Sequence, residues 1–383
     1  MISQDMIYLL SCAVNRETPD AQRVAGMDLD KLYEKARRHM VTSAVGYGLE
    51  AAGIKDARFV RAQQSAALKS STMDMEMEAL FTELDAAGIW YMPLKGIVLQ
   101  HLYPIYGMRQ MSDHDILFDA SRAKDVHKIM ESLGFTVEHF GQGNHDVYHK
   151  KPVSNFEMHR ALFGETYDEK FVEYYRNIGG KMLGDSCEKH LSPEDFYVYI
   201  TAHEYKHFSV GGTGIRSLLD CYVYLKVKGK ELDFGYIEKQ VEALGIADYE
   251  RKRRELAQKV FAKGDLSGLS ADERKKLAFY LNSGTYGTFE NRVNSNIRKV
   301  YKKTGKRTKF SYIRSRVFPD LPTMTSACPF VHNNPLLYPA GVVVRLARAA
   351  TTRRGRVKGE LDILKKYDEK ERSYGERFLK SDR

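Results

Sequence analysis

The chain offers little to support a disulfide-stapled or membrane-spanning architecture. Four cysteines, Cys12, Cys187, Cys221 and Cys328, are scattered over 383 residues. No two have metal-ligand spacing, so they read as reduced, mostly buried thiols of a cytoplasmic protein. No apolar run approaches the ~20 residues of a membrane span. The first ten residues lack a basic flank before their short apolar stretch and carry Asp5, which argues against a secretory signal. Internal repeats and low-complexity segments are also missing. Acidic residues are scarce in one region only. From 291 to 383 there are 23 Lys and Arg against 8 Asp and Glu, so the net charge of +10 belongs wholly to that quarter and the remainder carries −5.

What is present is ordinary globular composition, 43% hydrophobic and 29% charged, in a chain long enough for two or three domains. Apolar residues at helical spacing predict helices up to about residue 86. One covers the stretch from Asp28 to Val41, and a longer one runs from Ala57 to Ala86, with Met73, Met75 and Met77 as core filler. The pattern then changes. Short strands are expected at 88–96, 111–118 and 135–139, helices at 97–103 and 121–133, and a hairpin from 147–149 and 154–162. From Ser192, a capping serine followed by proline and two acidic residues, the chain reads as helical again, with helices near 214–229, 233–244, 247–262 and 270–281. The fold class is therefore α+β: a small mixed sheet (87–165) flanked by an N-terminal helical segment (1–86), a helical domain (166–290) and a basic, largely helical C-terminal segment (291–383).

Three carboxylates stand in apolar, strand-like surroundings, where a charge is costly unless a cation satisfies it. Asp113 and Asp115 lie in Met111-Ser-Asp-His-Asp-Ile-Leu-Phe118, and Glu157 lies in Asn155-Phe-Glu-Met-His159. Two residues apart on a strand, Asp113 and Asp115 point to one face. With a third carboxylate from a nearby strand they suit two Mg²⁺ ions, the requirement of in-line phosphoryl or nucleotidyl transfer.

Together with Leu94-Lys-Gly96, Tyr103-Pro104, Gly107-Met-Arg109 and Glu157-Met-His159, this segment resembles the uncharacterised nucleotidyltransferase family of the polymerase-beta superfamily. The resemblance implies transfer of a nucleoside monophosphate from a nucleoside triphosphate to an acceptor hydroxyl. Asp113, Asp115 and Glu157 would hold the metals, and Glu157 would act as or near the general base. It further implies phosphate contacts from Lys95, Gly96 and Arg109. The wider superfamily carries Gly-Ser at this turn. Here Lys95-Gly96-Ile97 offers no hydroxyl, and Lys95 would act as a point charge instead.

A competing pattern is His203-Glu-Tyr-Lys-His207, which matches H-E-x-x-H on an expected helix. Val210 and Thr213 stand where an extended zinc motif needs glycine and histidine. Three readings remain open for His203 and His207, together with Arg216 and Asp220: a buried polar network, the lining of a nucleotide or acceptor cleft, or a zinc hydrolase. The basic 291–383 segment suits nucleic acid, nucleotide phosphates or an acidic partner, or else a solvated helical surface.

Overall fold

The computed structural model describes residues 1–367 except 142, 166, 306 and 307, and for 302–304, 322, 326 and 333 it describes the backbone alone. Residues 368–383 of the basic segment thus lie outside the described residues. The chain divides into two compact units. The first comprises Met1–Lys206 and Gly214–Thr285, and the second comprises His207–Thr213 and the chain from Tyr286 onward.

The first unit begins with five helices: α1 (Ile2–Asn15), α2 (Ala21–Ala25), α3 (Leu29–Arg38), α4 (Thr42–Ala51) and α5 (Ala57–Ala86). Their starts are chemically marked. Asp20, Asp28 and Asp56 each stand before a helix and accept a hydrogen bond from a first-turn N–H. The strand and helix order then runs β1 (Tyr91–Pro93), α6 (Lys95–Gln100), β2 (His114–Phe118), α7 (Ala123–Ser132), β3 (Thr136–His139), β4 (His145–Lys150) and β5 (Ser154–His159). These strands form one mixed sheet in the order β1-β2-β5-β4-β3. Only β2 and β5 are parallel, and β1, β4 and β3 are joined to them antiparallel.

One face of the sheet is the core. Ile116 and Phe118 of β2 and Phe156 and Met158 of β5 pack against Leu80 and Leu84 of α5 and Val126 and Met130 of α7. Alternation along each strand sends the neighbouring residues to the opposite face. Beyond the sheet lie α8 (Glu169–Arg176), the two-stranded β6 (Met182–Leu183) and β7 (His190–Leu191), and helices α9 (Pro193–Val210), α10 (Ile215–Lys228), α11 (Phe234–Ala243), α12 (Ala247–Phe261) and α13 (Ala271–Ser283). The last turn of α9 is grouped with the second unit. Ser192 Oγ accepts from the Asp195 N–H at 3.1 Å, as its place before Pro193 suggests.

Two local expectations change. The strand expected over 111–118 begins only at His114, where pairing with Phe156 starts, so Asp113 stands one residue ahead of β2. The turn expected at Gly96 lies one residue earlier. Lys95 has the left-handed φ of 40°, and Gly96 is already in α6.

The second unit is helical over its described residues: α14 (Phe289–Thr304), α15 (Lys309–Val317), α16 (Leu321–Ala327), α17 (Phe330–Asn333), α18 (Tyr338–Ala350) and α19 (Arg354–Lys366). It has two small apolar clusters of its own, one around Val293, Ile297, Tyr312 and Leu364, the other around Met324, Cys328, Val331 and Val342.

Candidate active site

The parallel pairing of β2 with β5 sets Asp115 beside Glu157 and Leu117 beside His159. Because Phe156 and Met158 point into the core, Glu157 and His159 face the other way, on the same side as Asp115. Asp113 stands two residues before Asp115. The antiparallel pairing of β4 with β5 adds His145 opposite His159, with ring centroids 5.1 Å apart. Three chemically active positions therefore follow from two strands and a fourth from a third, while Asp113 comes from the segment just ahead of β2.

Asp115 is buried and held from two sides. The Lys95 ammonium donates to its Oδ1 at 2.5 Å, and His159 Nε2 donates to the same oxygen at 2.8 Å. Burial alone would raise its pKa, but Lys95 and His159 overcome burial and hold the carboxyl well below its ordinary range. Asp115 Oδ2 accepts from no described residue. Glu157 has His159 Nε2 at 3.6 Å and His145 Nε2 at 3.8 Å from its Oε2. Its pKa is lowered, mainly by His159, whose ring nitrogen stands slightly beyond hydrogen-bond distance.

Asp113 differs. Burial, then the charges of Asp115 and Glu157, raise its pKa, and Lys95 and the Ser112 hydroxyl at 2.9 Å only partly offset them. Lys95 contacts Asp115 directly, and the mutual repulsion of the three carboxylates falls on Asp113. A divalent cation would balance this set. Ligand atoms of Asp115, Glu157 and His159 already lie within 4.8 Å of one another. Carboxylate oxygens suit a hard cation such as Mg²⁺. Of the three expected metal ligands, Asp115 and Glu157 are brought together in that group, with His159 as the third member. Asp113 is joined to it electrostatically.

The expected phosphate contacts are placed unequally. Lys95 is at the site, on Asp115. Gly96 is a packing glycine: a Cβ there would meet Met111 Cε at 2.7 Å and Arg109 Nη1 at 2.8 Å. Arg109 is buried and engaged elsewhere. Its Nε and Nη2 donate to Asp220 Oδ1 and Oδ2 at 2.9 and 3.0 Å, and Tyr103 donates its hydroxyl to Oδ1 at 2.7 Å. Arg216 donates to the Gln110 carbonyl at 2.8 Å, beside this cluster. Arg109 and Asp220 therefore form a buried salt bridge tying the chain before β2 to α10.

In the H-E-x-x-H segment, Glu204 is buried among Arg253, Tyr249 and Tyr280, all of which donate to its carboxylate. An ion-paired glutamate is poorly suited to activating water. Among the described residues, the group of three that could hold a metal contains neither His203 nor His207.

Sequence reading gave His159 no role and passed over His145, Lys206 and Tyr199. His159 was legible, because it stands two residues from Glu157 on one strand. His145 needed the β4–β5 register. Lys206 and Tyr199 come from α9, and both feel the charges of Asp115 and Glu157. The Tyr199 hydroxyl is buried and has no hydrogen-bond partner among the described residues.

No curated protein and no solved structure matches the chain. A family model described as uncharacterised nucleotidyltransferase matches residues 25–262, a span that runs from α2 through the sheet and its carboxylates to the end of α12. The chain belongs to that family of nucleotidyltransferases.

Proposed function

We propose that the protein transfers a nucleoside monophosphate from a nucleoside triphosphate to an acceptor hydroxyl, at the sheet face carrying Asp113, Asp115 and Glu157. The observation that carries this reading is the pairing of Asp115 with Glu157 across parallel strands, beside an Asp113 destabilised by their charge. Two Mg²⁺ ions, held by Asp113, Asp115 and Glu157, would neutralise the triphosphate and align the attacking and leaving oxygens.

The protein's own groups do the rest. Glu157, kept ionised by His159, accepts the proton of the acceptor hydroxyl as its oxygen bonds to the α-phosphorus. The bond from the α-phosphorus to the bridging oxygen breaks, and pyrophosphate leaves with that electron pair. Lys95 holds Asp115 in place and presents positive charge to the phosphates. The buried Arg109–Asp220 pair fixes the segment leading into β2, a positioning role. A second reading, a non-catalytic nucleotide- or RNA-binding module, draws on the Lys95–Asp115 ion pair, since that ammonium already neutralises one metal ligand.

Thermal shift with ATP, CTP, GTP and UTP, with and without Mg²⁺, separates the two. Metal-dependent stabilisation by a nucleotide, lost in Asp113→Asn/Asp115→Asn, supports transfer, and incubation with labelled nucleotide and cell extract then identifies the acceptor. Nucleotide binding indifferent to Mg²⁺ and to these substitutions supports the binding module, and no response to any nucleotide refutes transfer and nucleotide binding alike. For the second unit, the basic helices α14, α15, α18 and α19 favour a polyanion. Nucleic-acid affinity falling steeply with salt supports that role, and undetectable binding removes it.

A further inference from the structure

A cavity lies beside the carboxylate face, lined by residues other than the three carboxylates. Its volume is about 360 Å³, at the small end of ligand pockets and the size for one small molecule. One face of α5 lines it through Arg58, Arg61, Ser65 and Lys69, residues three or four apart and hence on one helical stripe. Arg37 and Tyr33 of α3, Thr42 at the start of α4, and Gln110 and Met111 before β2 complete it. The lining holds four cationic side chains and no acidic one. Arg58 is paired with Asp30 and Asp56, and Arg37 with Glu34, all outside the lining. Arg61 has no ion pair among the described residues. Lys69 is partly buried and among the described residues bonds only the Ser112 carbonyl, at 2.9 Å.

The polar groups beside these cations are also oriented as donors. Gln110 Oε1 accepts from the Thr42 hydroxyl at 2.8 Å and from the Ser43 N–H at 3.2 Å. With its oxygen engaged, the carboxamide of Gln110 has only its NH₂ to offer a ligand. The forked donors of Arg61, the Lys69 ammonium and an amide NH₂, beside the two paired arginines, match the oxygens of a phosphate group in a one-molecule cavity. The cavity also adjoins the reaction site. Lys69 is bonded to Ser112, the residue before Asp113, and it feels the Asp113 charge.

We infer that this pocket binds the phosphate group of a small phosphorylated acceptor, placing its hydroxyl toward Asp113. The inference rests on the nucleotidyl-transfer reading for the acceptor role, and on the pocket alone for phosphate binding. The same chemistry has a second source in the donor's own phosphate tail.

Binding of inorganic phosphate and of pyrophosphate to the full chain is measured by calorimetry in chelator, and Mg²⁺–nucleotide binding is measured separately. Saturable phosphate binding is expected, weakened roughly tenfold or more in Arg61→Ala and in Lys69→Ala, the value of one charged hydrogen bond. Mg²⁺–nucleotide binding should be unchanged in Arg61→Ala, an exposed residue whose loss leaves the fold intact. No phosphate binding, or binding indifferent to Arg61→Ala, overturns the site. Parallel loss of phosphate and nucleotide binding in Arg61→Ala assigns the pocket to the donor tail and overturns the acceptor. Phosphate binding without any Mg²⁺–nucleotide binding keeps the site and removes both the acceptor role and the transfer reading.

Discussion

Arg109 and Asp220 allow a test that separates structure from substrate binding. The guanidinium is 8% exposed and bidentate on Asp220, which also accepts the Tyr103 hydroxyl. Asp220→Asn keeps the shape but sets an NH₂ against guanidinium N–H groups, and it strips the counter-charge from Arg109 with Arg216 close by. Breaking a buried pair from one side costs about 3–5 kcal/mol. At a few degrees per kcal/mol for a unit of this size, Tm should fall on the order of 10 °C. Arg109→Met should cost less, about 1–3 kcal/mol, because Asp220 retains Tyr103 and the field of Arg216. The double change Arg109→Met/Asp220→Asn removes both charges and should recover part of the loss, a coupling of about 2 kcal/mol. The assay is thermal and urea unfolding of all four proteins without nucleotide, with nucleotide affinity measured alongside. If Arg109→Met leaves Tm untouched and weakens nucleotide binding tenfold, Arg109 contacts phosphate and the salt-bridge argument is wrong.

Other outcomes follow from the same geometry. Glu157→Gln should slow transfer by about 10²–10⁴ while the protein stays folded, as expected for loss of a general base, and a rate near wild type would assign the proton elsewhere. Asp113→Asn should raise Tm in metal-free buffer at neutral pH. The raised Asp113 pKa means that its charge opposes folding above that pKa, so the gain should fade as pH falls and the wild-type carboxyl also becomes neutral. An unchanged or lower Tm at neutral pH would remove the charge-repulsion account. Gly107→Ala should destabilise by about 1–3 kcal/mol in urea unfolding, because the new Cβ meets the Ala67 backbone at 2.8 Å at a φ of 77°. Tolerance there would mean that α5 can move aside.

Local order along the chain was readable wherever one periodicity dominated. The spacing over Ala57 to Ala86 matches α5 end to end, and Ser192 marks the start of α9. The paired parity of Glu157 with His159 already assigns that pair a common face, whereas Asp113 lies ahead of β2, where strand parity no longer applies. Strand boundaries were less legible, because β2 begins where a partner strand begins and not where its apolar run does.

By itself, then, the sequence determined the α+β order of elements, the three carboxylates and the family they belong to. These rest on backbone periodicity and on motifs carried within a few residues. Which cation meets which carboxylate was decided only by the tertiary structure. Lys95 reaches Asp115 from 20 residues away, Arg109 reaches Asp220 from 111, and His145 joins His159 through the β4–β5 register. A chain with 60 basic and 50 acidic residues allows many such pairings. Burial selects among them, because a desolvated charge must take the partner that packing brings within reach.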